Sequence, residues 1–277
     1  MILQKNHLTN YSKCDIVELI KYRRTHMHDI LKDVVKHTHS LGIIQAVKVT
    51  TDEDTTVLDA MDDDRTVVLR AKMHNRVPEF SGKFGLGRLG VLNGYLGYES
   101  RNNEGEAVST GVDISRVERN GEEVPAAFNF AIPGIMNSTY RVIVSELVDA
   151  QIKTANFKGA KWDVEVMPTQ QAIKDLQQTA AILSAYDPLF TVKTVDGDLQ
   201  FTIGDASTDK ADLTFARNVS GELKSGWSFP LATVLTILKL GDTSSMSIKI
   251  SDQGAMAIHV DSGMGLYEYI LPAKSGN

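Results

Sequence analysis

The chain has 277 residues, 42% of them hydrophobic, which is enough for one large domain or two of ordinary size. Its 29 basic and 35 acidic residues give a net charge of −6, which argues against a protein that binds nucleic acid through an overall basic surface. The single cysteine, Cys14, excludes a disulfide framework within one chain, and no apolar run is long enough for a signal peptide or a membrane span. We therefore expect a cytoplasmic protein.

The first half of the chain is predicted to contain a helix followed by strands. In residues 25–42 the apolar side chains recur at helical spacing, and the buried face is predicted to carry Met27, Ile30, Val34 and Leu41. Three strand-like runs follow, at 43–50, 55–61 and 65–73. Two further strands, 112–118 and 126–132, are separated by an Asn120–Gly121 turn, a pair typical of tight hairpins.

The stretch "KFGLGRLGVLNGYLG" carries the G-x-G-x-x-G pattern of dinucleotide-binding loops at Gly85, Gly87 and Gly90. That pattern needs a strand running directly into the first glycine and an acidic residue ending the next strand. Here a polar run, 74–83, comes first, and the acids at the right distance lie in loop-like sequence. Leucines recur at helical spacing instead, at Leu86, Leu89, Leu92 and Leu96. We predict a short helix over 83–97, weakened by its glycines, and no cofactor.

The second half repeats the same order of elements. A strand at 162–168 leads into a helix over 169–187, whose buried face is predicted to contain Ile173, Leu176, Ala180 and Leu183. Alternating strands and a second helix follow, at 198–204, 211–217, 229–241 (the helix), 245–251, 255–261 and 266–272. This internal repeat predicts an α+β protein of two similar domains. The predicted bounds are 1–138, with 1–24 as an extension, a connector at 139–160, and 161–277.

Four passages of the chain, spread over residues 25–273, resemble DNA polymerase sliding clamps of the two-domain, trimer-forming type. They are "DILKDVVKHTHSLG", "VLDAMDDDRTVVLRAKM" with its Met61–Asp62 pair, "FGLGRLGVLNGYLG" and "GMGLYEYILPAK". The third is similar to a passage of T-even phage clamps, which favours a phage protein acting in the cytoplasm of an infected bacterium. The resemblance implies clamp domains with inner helices and outer antiparallel sheets, a closed homotrimeric ring around double-stranded DNA, and no catalytic activity.

The distribution of charge agrees with this resemblance. The four predicted helical segments, 1–41, 84–98, 169–186 and 230–241, together carry +5, which leaves −11 for the rest of the chain. Basic helices in an acidic protein suit weak, sequence-independent contact with phosphates. The predicted DNA-facing residues are Lys32, Lys36, Arg88, Lys174 and Lys239.

A clamp must also hold a DNA polymerase and a clamp loader. In the family, partners insert a hydrophobic peptide into a pocket beneath the interdomain connector and beside the last strand. The positions that the resemblance assigns to this pocket are Met61, Met256, Tyr269, Leu271 and Pro272, and the connector adds Leu147 and Val148. An alternative for each of them is simple packing of the sheets.

Other clusters of polar residues do not form a recognisable site. The four histidines between 26 and 39 include i, i+2 pairs, which do not share a helix face, and the acidic run 52–64 lacks the pattern of a calcium loop. We predict no metal and no enzyme activity. Two alternatives remain open: an enzyme that binds a nucleotide at Gly85–Gly90, and a viral processivity factor of the same fold that acts as a monomer or dimer.

Overall fold

The computed structural model describes residues 13–98, 100–101, 107–108, 110–119, 121–132, 134–152, 159–183, 187–207 and 209–274. Its helices are α1 (Lys13–Thr38), α2 (Leu89–Leu96), α3 (Ser145–Gln151), α4 (Gln170–Leu183) and α5 (Leu231–Ile237). Single 3₁₀ turns occur at His39–Leu41, Pro78–Phe80 and Thr243–Ser245. In the ranges given, no helix combines the length and the apolar character needed to cross a bilayer.

Eighteen strands are present in the same ranges. Those of the first half are β1 (Ala46–Thr51), β2 (Thr56–Met61), β3 (Val68–Met73), β4 (Gly82–Gly87), β5 (Ser100–Arg101), β6 (Ala107–Val108), β7 (Gly111–Arg119), β8 (Glu122–Ile132), β9 (Met136–Arg141) and β10 (Ile143–Val144). Those of the second half are β11 (Val164–Val166), β12 (Leu189–Val195), β13 (Asp198–Ile203), β14 (Ala211–Ala216), β15 (Trp227–Pro230), β16 (Met246–Ser251), β17 (Ala255–Asp261) and β18 (Gly265–Pro272).

One antiparallel sheet of nine strands runs through both halves of the chain. Its order is β10-β4-β1-β2-β3-β18-β17-β16-β11, and the halves meet where β3 pairs with β18. The first half adds a three-stranded sheet, β7-β8-β9, and a two-stranded sheet, β5-β6, and the second half adds a four-stranded sheet, β14-β13-β12-β15. The predicted α+β class is confirmed, and each half consists of two principal helices with antiparallel strands. The division of the chain at 138 and 161 stays a prediction, and β9 ends at Arg141, inside the range predicted for the connector.

The buried faces of the helices follow the predicted spacing closely. In α1, Met27, Ile30 and Val34 are buried, whereas Leu41 lies in the 3₁₀ turn after the helix and is only half-buried. In α4 the four predicted positions are all buried. The helix α1 also begins at Lys13, so it extends the predicted helix back into the segment that was expected to be an extension.

The glycine-rich segment corrects our prediction of one helix over 83–97. Residues 82–87 form the strand β4, Leu86 points into the core from it, and the helix α2 begins only at Leu89. A Cβ added to Gly85 would lie 2.7 Å from Val148 Cγ2, and one added to Gly87 would lie 2.7 Å from Ile143 Cδ1. These glycines therefore form a bare patch on which the segment after β9 packs, and they do not soften a helix.

Two further differences arise where apolar runs are ambiguous between helix and strand. The predicted helix 229–241 is shorter, because Phe229 and Pro230 end the strand β15 and the helix α5 covers 231–237. The strand β12 was not predicted, although its partner β13 was. The Asn120–Gly121 turn joins β7 to β8 as expected, with Gly121 at φ +82°; Asn120 itself lies outside the described residues.

Candidate nucleic-acid interface and partner site

The four helices that carry the predicted DNA-facing residues form one continuous row. His28 Nε2 lies 3.0 Å from the Leu96 carbonyl oxygen, which joins α1 to α2. The 3₁₀ turn after α1 contacts α5, and α5 contacts α4. These contacts therefore link helices from both halves of the chain.

Exposed cations lie along this row. Lys32 and Lys36 are on α1, Arg88 immediately precedes α2, Lys174 is on α4 and Lys239 follows α5, and all five are exposed. None of the four lysines makes an ion pair within 4 Å in the described part of the chain. Lys32 and Lys36 are one helical turn apart, a spacing at which like charges weaken an isolated helix slightly unless an anion lies between them.

Arg88 is held more firmly than the lysines. Its backbone is left-handed, with φ +48°, at the junction between β4 and α2. Its Nη2 donates a hydrogen bond of 3.2 Å to the Arg141 carbonyl oxygen, and its guanidinium lies 5.6 Å from the centre of the Tyr140 ring. Since a guanidinium has five N–H donors, Arg88 keeps donors for a phosphate while its position is fixed.

The residues predicted to form the partner pocket divide between the two faces of the nine-stranded sheet. Met256, Tyr269 and Leu271 are fully buried on the face that packs against α1. The Tyr269 hydroxyl donates to the His37 carbonyl oxygen at 2.9 Å. Met61 is half-buried and Pro272 is exposed, and both belong to the opposite, outer face. The structure thus does not bring these five side chains together.

The outer face carries an apolar row that the sequence reasoning missed. In the strand registers Met61 lies beside Val68, and Val68 lies beside Ile270, with Pro272 two residues further along β18. We call Met61, Val68, Ile270 and Pro272 the outer apolar row. Pro272 is exposed, Met61 and Val68 are half-buried, and Ile270 is buried between its neighbours. The signal for it was the period-2 alternation of β18, which sets Ile270 and Pro272 on one face and Tyr269 and Leu271 on the other.

The segment after β9 folds back over the outer face of the sheet. There α3 packs on β4 and β1, with Val148 buried against Gly85 and Leu147 59% exposed. Asp149 accepts a 2.9 Å hydrogen bond from Lys83 and lies 3.6 Å from Lys48, and its pKa is lowered mainly by Lys83. Val148 therefore fixes this segment in place, whereas Leu147 is available for contact with another molecule.

A buried polar cluster joins α1 to the end of the second half. Tyr267 donates to Asp33 Oδ2 at 2.7 Å and Ser262 donates to the same oxygen at 2.9 Å. The His37 ring stacks on Tyr267 with centroids 4.1 Å apart, and its Nδ1 lies 3.0 Å from the Tyr269 hydroxyl. Burial raises the pKa of Asp33 although both hydrogen bonds oppose that shift, and burial lowers the pKa of His37 to about 4.

No group of three metal-binding side chains occurs in the described ranges. Three of the histidines serve separate contacts: His28 with the Leu96 carbonyl, His37 with Tyr269, and His39 beside Gly90. Nothing in these contacts brings the histidines around a common point.

No family model and no curated protein sequence matches the chain. A solved complex of the C-terminal region of FEN-1 bound to A. fulgidus PCNA contains a chain that superposes on this one with a TM-score of 0.63. The match covers 90% of this chain and 97% of that chain at 11% sequence identity. The chain therefore has the two-domain α+β fold of PCNA, and the clamp-like fold implied by the sequence resemblance is confirmed at the level of fold.

Proposed function

We propose that the protein is a sliding clamp that encircles double-stranded DNA and tethers a DNA polymerase. The observation that carries this proposal is the row of exposed cations on the helices of a PCNA-like fold, in a chain whose net charge is −6. Phosphate contacts from flexible lysines are weak and independent of sequence, which lets a ring move along DNA. On this proposal the protein is a non-enzymatic scaffold of the cytoplasm, in a phage-infected bacterium.

The ring would be a homotrimer joined head to tail. Within the described residues, β9 is an edge strand of the three-stranded sheet in the first half, and β14 is an edge strand of the four-stranded sheet in the second half. Each has one side without a strand partner. Each half also has an exposed apolar side chain on a helix. Val91 on α2 is 46% exposed in the first half, and Ile182 on α4 is 73% exposed in the second. The helix α4 packs on β14. If the β9 edge of one copy pairs with the β14 edge of the next, the interface is head-to-tail. Such an interface closes into a ring when the rotation from one copy to the next divides a full turn evenly.

We predict that the protein in solution has about three times the 30.4 kDa mass of one chain, measured by light scattering. The double substitution Val91→Lys and Ile182→Lys should reduce this to the mass of one chain, because buried lysines at both surfaces oppose association. Leu266→Lys is the matched control, since Leu266 is 44% exposed on the outer face and should leave the mass unchanged. A wild-type monomer or dimer at micromolar concentration would instead favour the non-ring processivity factor.

We predict that circular DNA retains the loaded protein far longer than linear DNA, because only open ends release a closed ring. Replacing Lys32, Lys36 and Lys174 by Ala should weaken loading on every DNA sequence alike and lower the salt slope by about 0.9 for each phosphate that is no longer neutralised. The control variant replaces three exposed lysines outside the cationic row by Ala, namely Lys72, Lys161 and Lys224. It should change neither the loading nor the salt slope. Equal release from circular and linear DNA would contradict encirclement.

We also propose that polymerase and clamp loader dock on the outer apolar row together with the exposed Leu147. PCNA of A. fulgidus binds a segment of another protein, which supports a peptide site on this fold. The buried predicted pocket residues would then have a supporting role. Met256, Tyr269 and Leu271 would support the sheet from the face that packs on α1, and Val148 would hold α3 on β4. The nucleotide-binding alternative gains no support from Gly85 and Gly87, because Val148 and Ile143 pack directly on them.

A further inference from the structure

A separate cleft lies beside the segment that leads into α3. Its volume is ≈ 240 Å³, and it is bounded by β4, the ends of β7, β8 and β9, and the first residue of α3. The residues that line it are Lys83, Phe84, Arg119, Val124, Pro125, Ala126, Arg141, Val142, Val144 and Ser145. None of the ten is acidic and three are basic, in a chain that is acidic as a whole. We call this the arginine cleft.

The three cations of the arginine cleft differ in how far they are already engaged. Lys83 is neutralised by Asp149 at 2.9 Å. Arg119 lies opposite Glu122 in the register of β7 and β8, but no ion pair within 4 Å joins its side chain to a carboxylate of the described residues. It also contributes to the lowered pKa of Glu146, whose main cause is the Glu146 backbone N–H. The Arg141 side chain makes no hydrogen bond or ion pair with any described residue, since only its carbonyl oxygen is used, by Arg88. Two guanidinium groups are thus available to a ligand.

The chemistry of the cleft selects a carboxylate ligand with an apolar part. A guanidinium binds a carboxylate through two parallel N–H···O bonds. The half-buried Val142 and Val144 provide apolar surface in the same cleft, which a sugar-phosphate backbone would not cover. The cleft adjoins the first residue of α3, and it meets the cationic row only at Arg141, whose carbonyl oxygen accepts the hydrogen bond from Arg88. We propose that the arginine cleft binds an acidic peptide segment of a partner protein, with carboxylates on Arg119 and Arg141 and an aliphatic or aromatic side chain between them.

The test measures binding of a fluorescent peptide in which Asp and Glu alternate with Leu and Phe, using the full chain. Arg119→Ala with Arg141→Ala should raise the Kd roughly ten-fold or more, because both guanidinium partners of the peptide carboxylates are removed. Lys72→Ala with Lys224→Ala makes the same change in net charge at exposed sites elsewhere and should leave the Kd unchanged. A second peptide, with Ser in place of Leu and Phe, should bind more weakly than the first.

Other outcomes would overturn the proposal. Equal weakening in both double variants would mean that only net charge matters, and equal binding of the two peptides would mean that the apolar surface is not used. If Arg119→Ala with Arg141→Ala leaves peptide binding intact but weakens DNA binding, the cleft serves nucleic acid. Because Arg141 ends β9, light scattering is run on the same variant: loss of assembly would assign these arginines to the contact between copies. If the wild-type protein forms no ring, the peptide-binding measurement is still valid. The sliding-clamp proposal and the arginine-cleft proposal can therefore be refuted independently.

Discussion

Asp33→Ala should lower the free energy of unfolding by about 2–3 kcal/mol at pH 7. The substitution leaves the Tyr267 hydroxyl, which is fully buried, without its acceptor, and a buried polar group without a partner costs about 1–3 kcal/mol. The space of the carboxylate adds a smaller packing loss. Denaturant unfolding at one fixed protomer concentration measures the change, since association also contributes to stability.

Two companion variants make this prediction specific to the hydrogen bond. Asp33→Asn keeps the shape and an acceptor oxygen, so its destabilisation should be well below that of Asp33→Ala. Tyr267→Phe combined with Asp33→Ala should be less destabilised than the sum of the two single variants, because removing both partners leaves no orphaned hydroxyl. Additivity within about 0.5 kcal/mol would contradict a direct coupling between α1 and β18.

Acid should destabilise the protein through His37 between pH 6.5 and about 4. Burial, and then the charge of Lys36, lowers the pKa of His37 from 6.5 to about 4 in the folded state. In this window the unfolded chain binds a proton that the folded chain does not, so stability falls as the pH falls. Above pH 6.5 both states are neutral and the contribution is constant. The destabilisation on reaching pH 4 should be roughly 3 kcal/mol for a fully buried imidazole.

His37→Gln isolates this contribution, because glutamine cannot titrate and keeps a donor for the Tyr269 hydroxyl. Unfolding midpoints measured against pH should fall more steeply for the wild type than for His37→Gln between pH 6.5 and 4, and in parallel above pH 7. Asp33 has the opposite sign, since its raised pKa makes folding more favourable as it protonates. Because Asp33 Oδ1 also lies 3.7 Å from His37 Nε2, the comparison is repeated with Asp33→Asn in both proteins, and the steeper fall should persist in the protein that keeps His37. If the unfolding midpoints of the wild type and His37→Gln stay parallel over the whole pH range, His37 is not the source of the acid destabilisation.

The regular elements were predictable because their side chains repeat with a clear period. In α4 the buried positions follow the helical spacing, and in β13 the buried Leu199 and Phe201 alternate with the half-buried Asp198 and Gln200. The strand β4 was missed because its glycines have no side chains to alternate. Their meaning lies in the contact with Val148 and Ile143, more than 50 residues away in the chain, which no local pattern encodes.

The candidate site was predicted unevenly for a similar reason. Exposure of Lys32, Lys36 and Lys174 follows from the helical period, because each lies opposite a buried apolar face. The pocket residues came from resemblance to a motif at the end of β18, and neighbouring residues of a strand point to opposite faces. Tyr269 and Pro272 therefore could not share one surface. Val68 and Ile270 were recognised as part of the outer apolar row only from the pairing of β3 with β18.

The pairing of β3 with β18 has a consequence for synthesis on the ribosome. Strand β3 ends at Met73, but its partner begins at Gly265, so about 190 residues must be translated before that edge is paired. Meanwhile β3 presents unpaired N–H and C=O groups, which are a template for association with other nascent chains. The exposed charges of Arg70 and Lys72 on this strand oppose such association. The seam that makes the two halves one sheet is thus also the last part of the sheet to become complete.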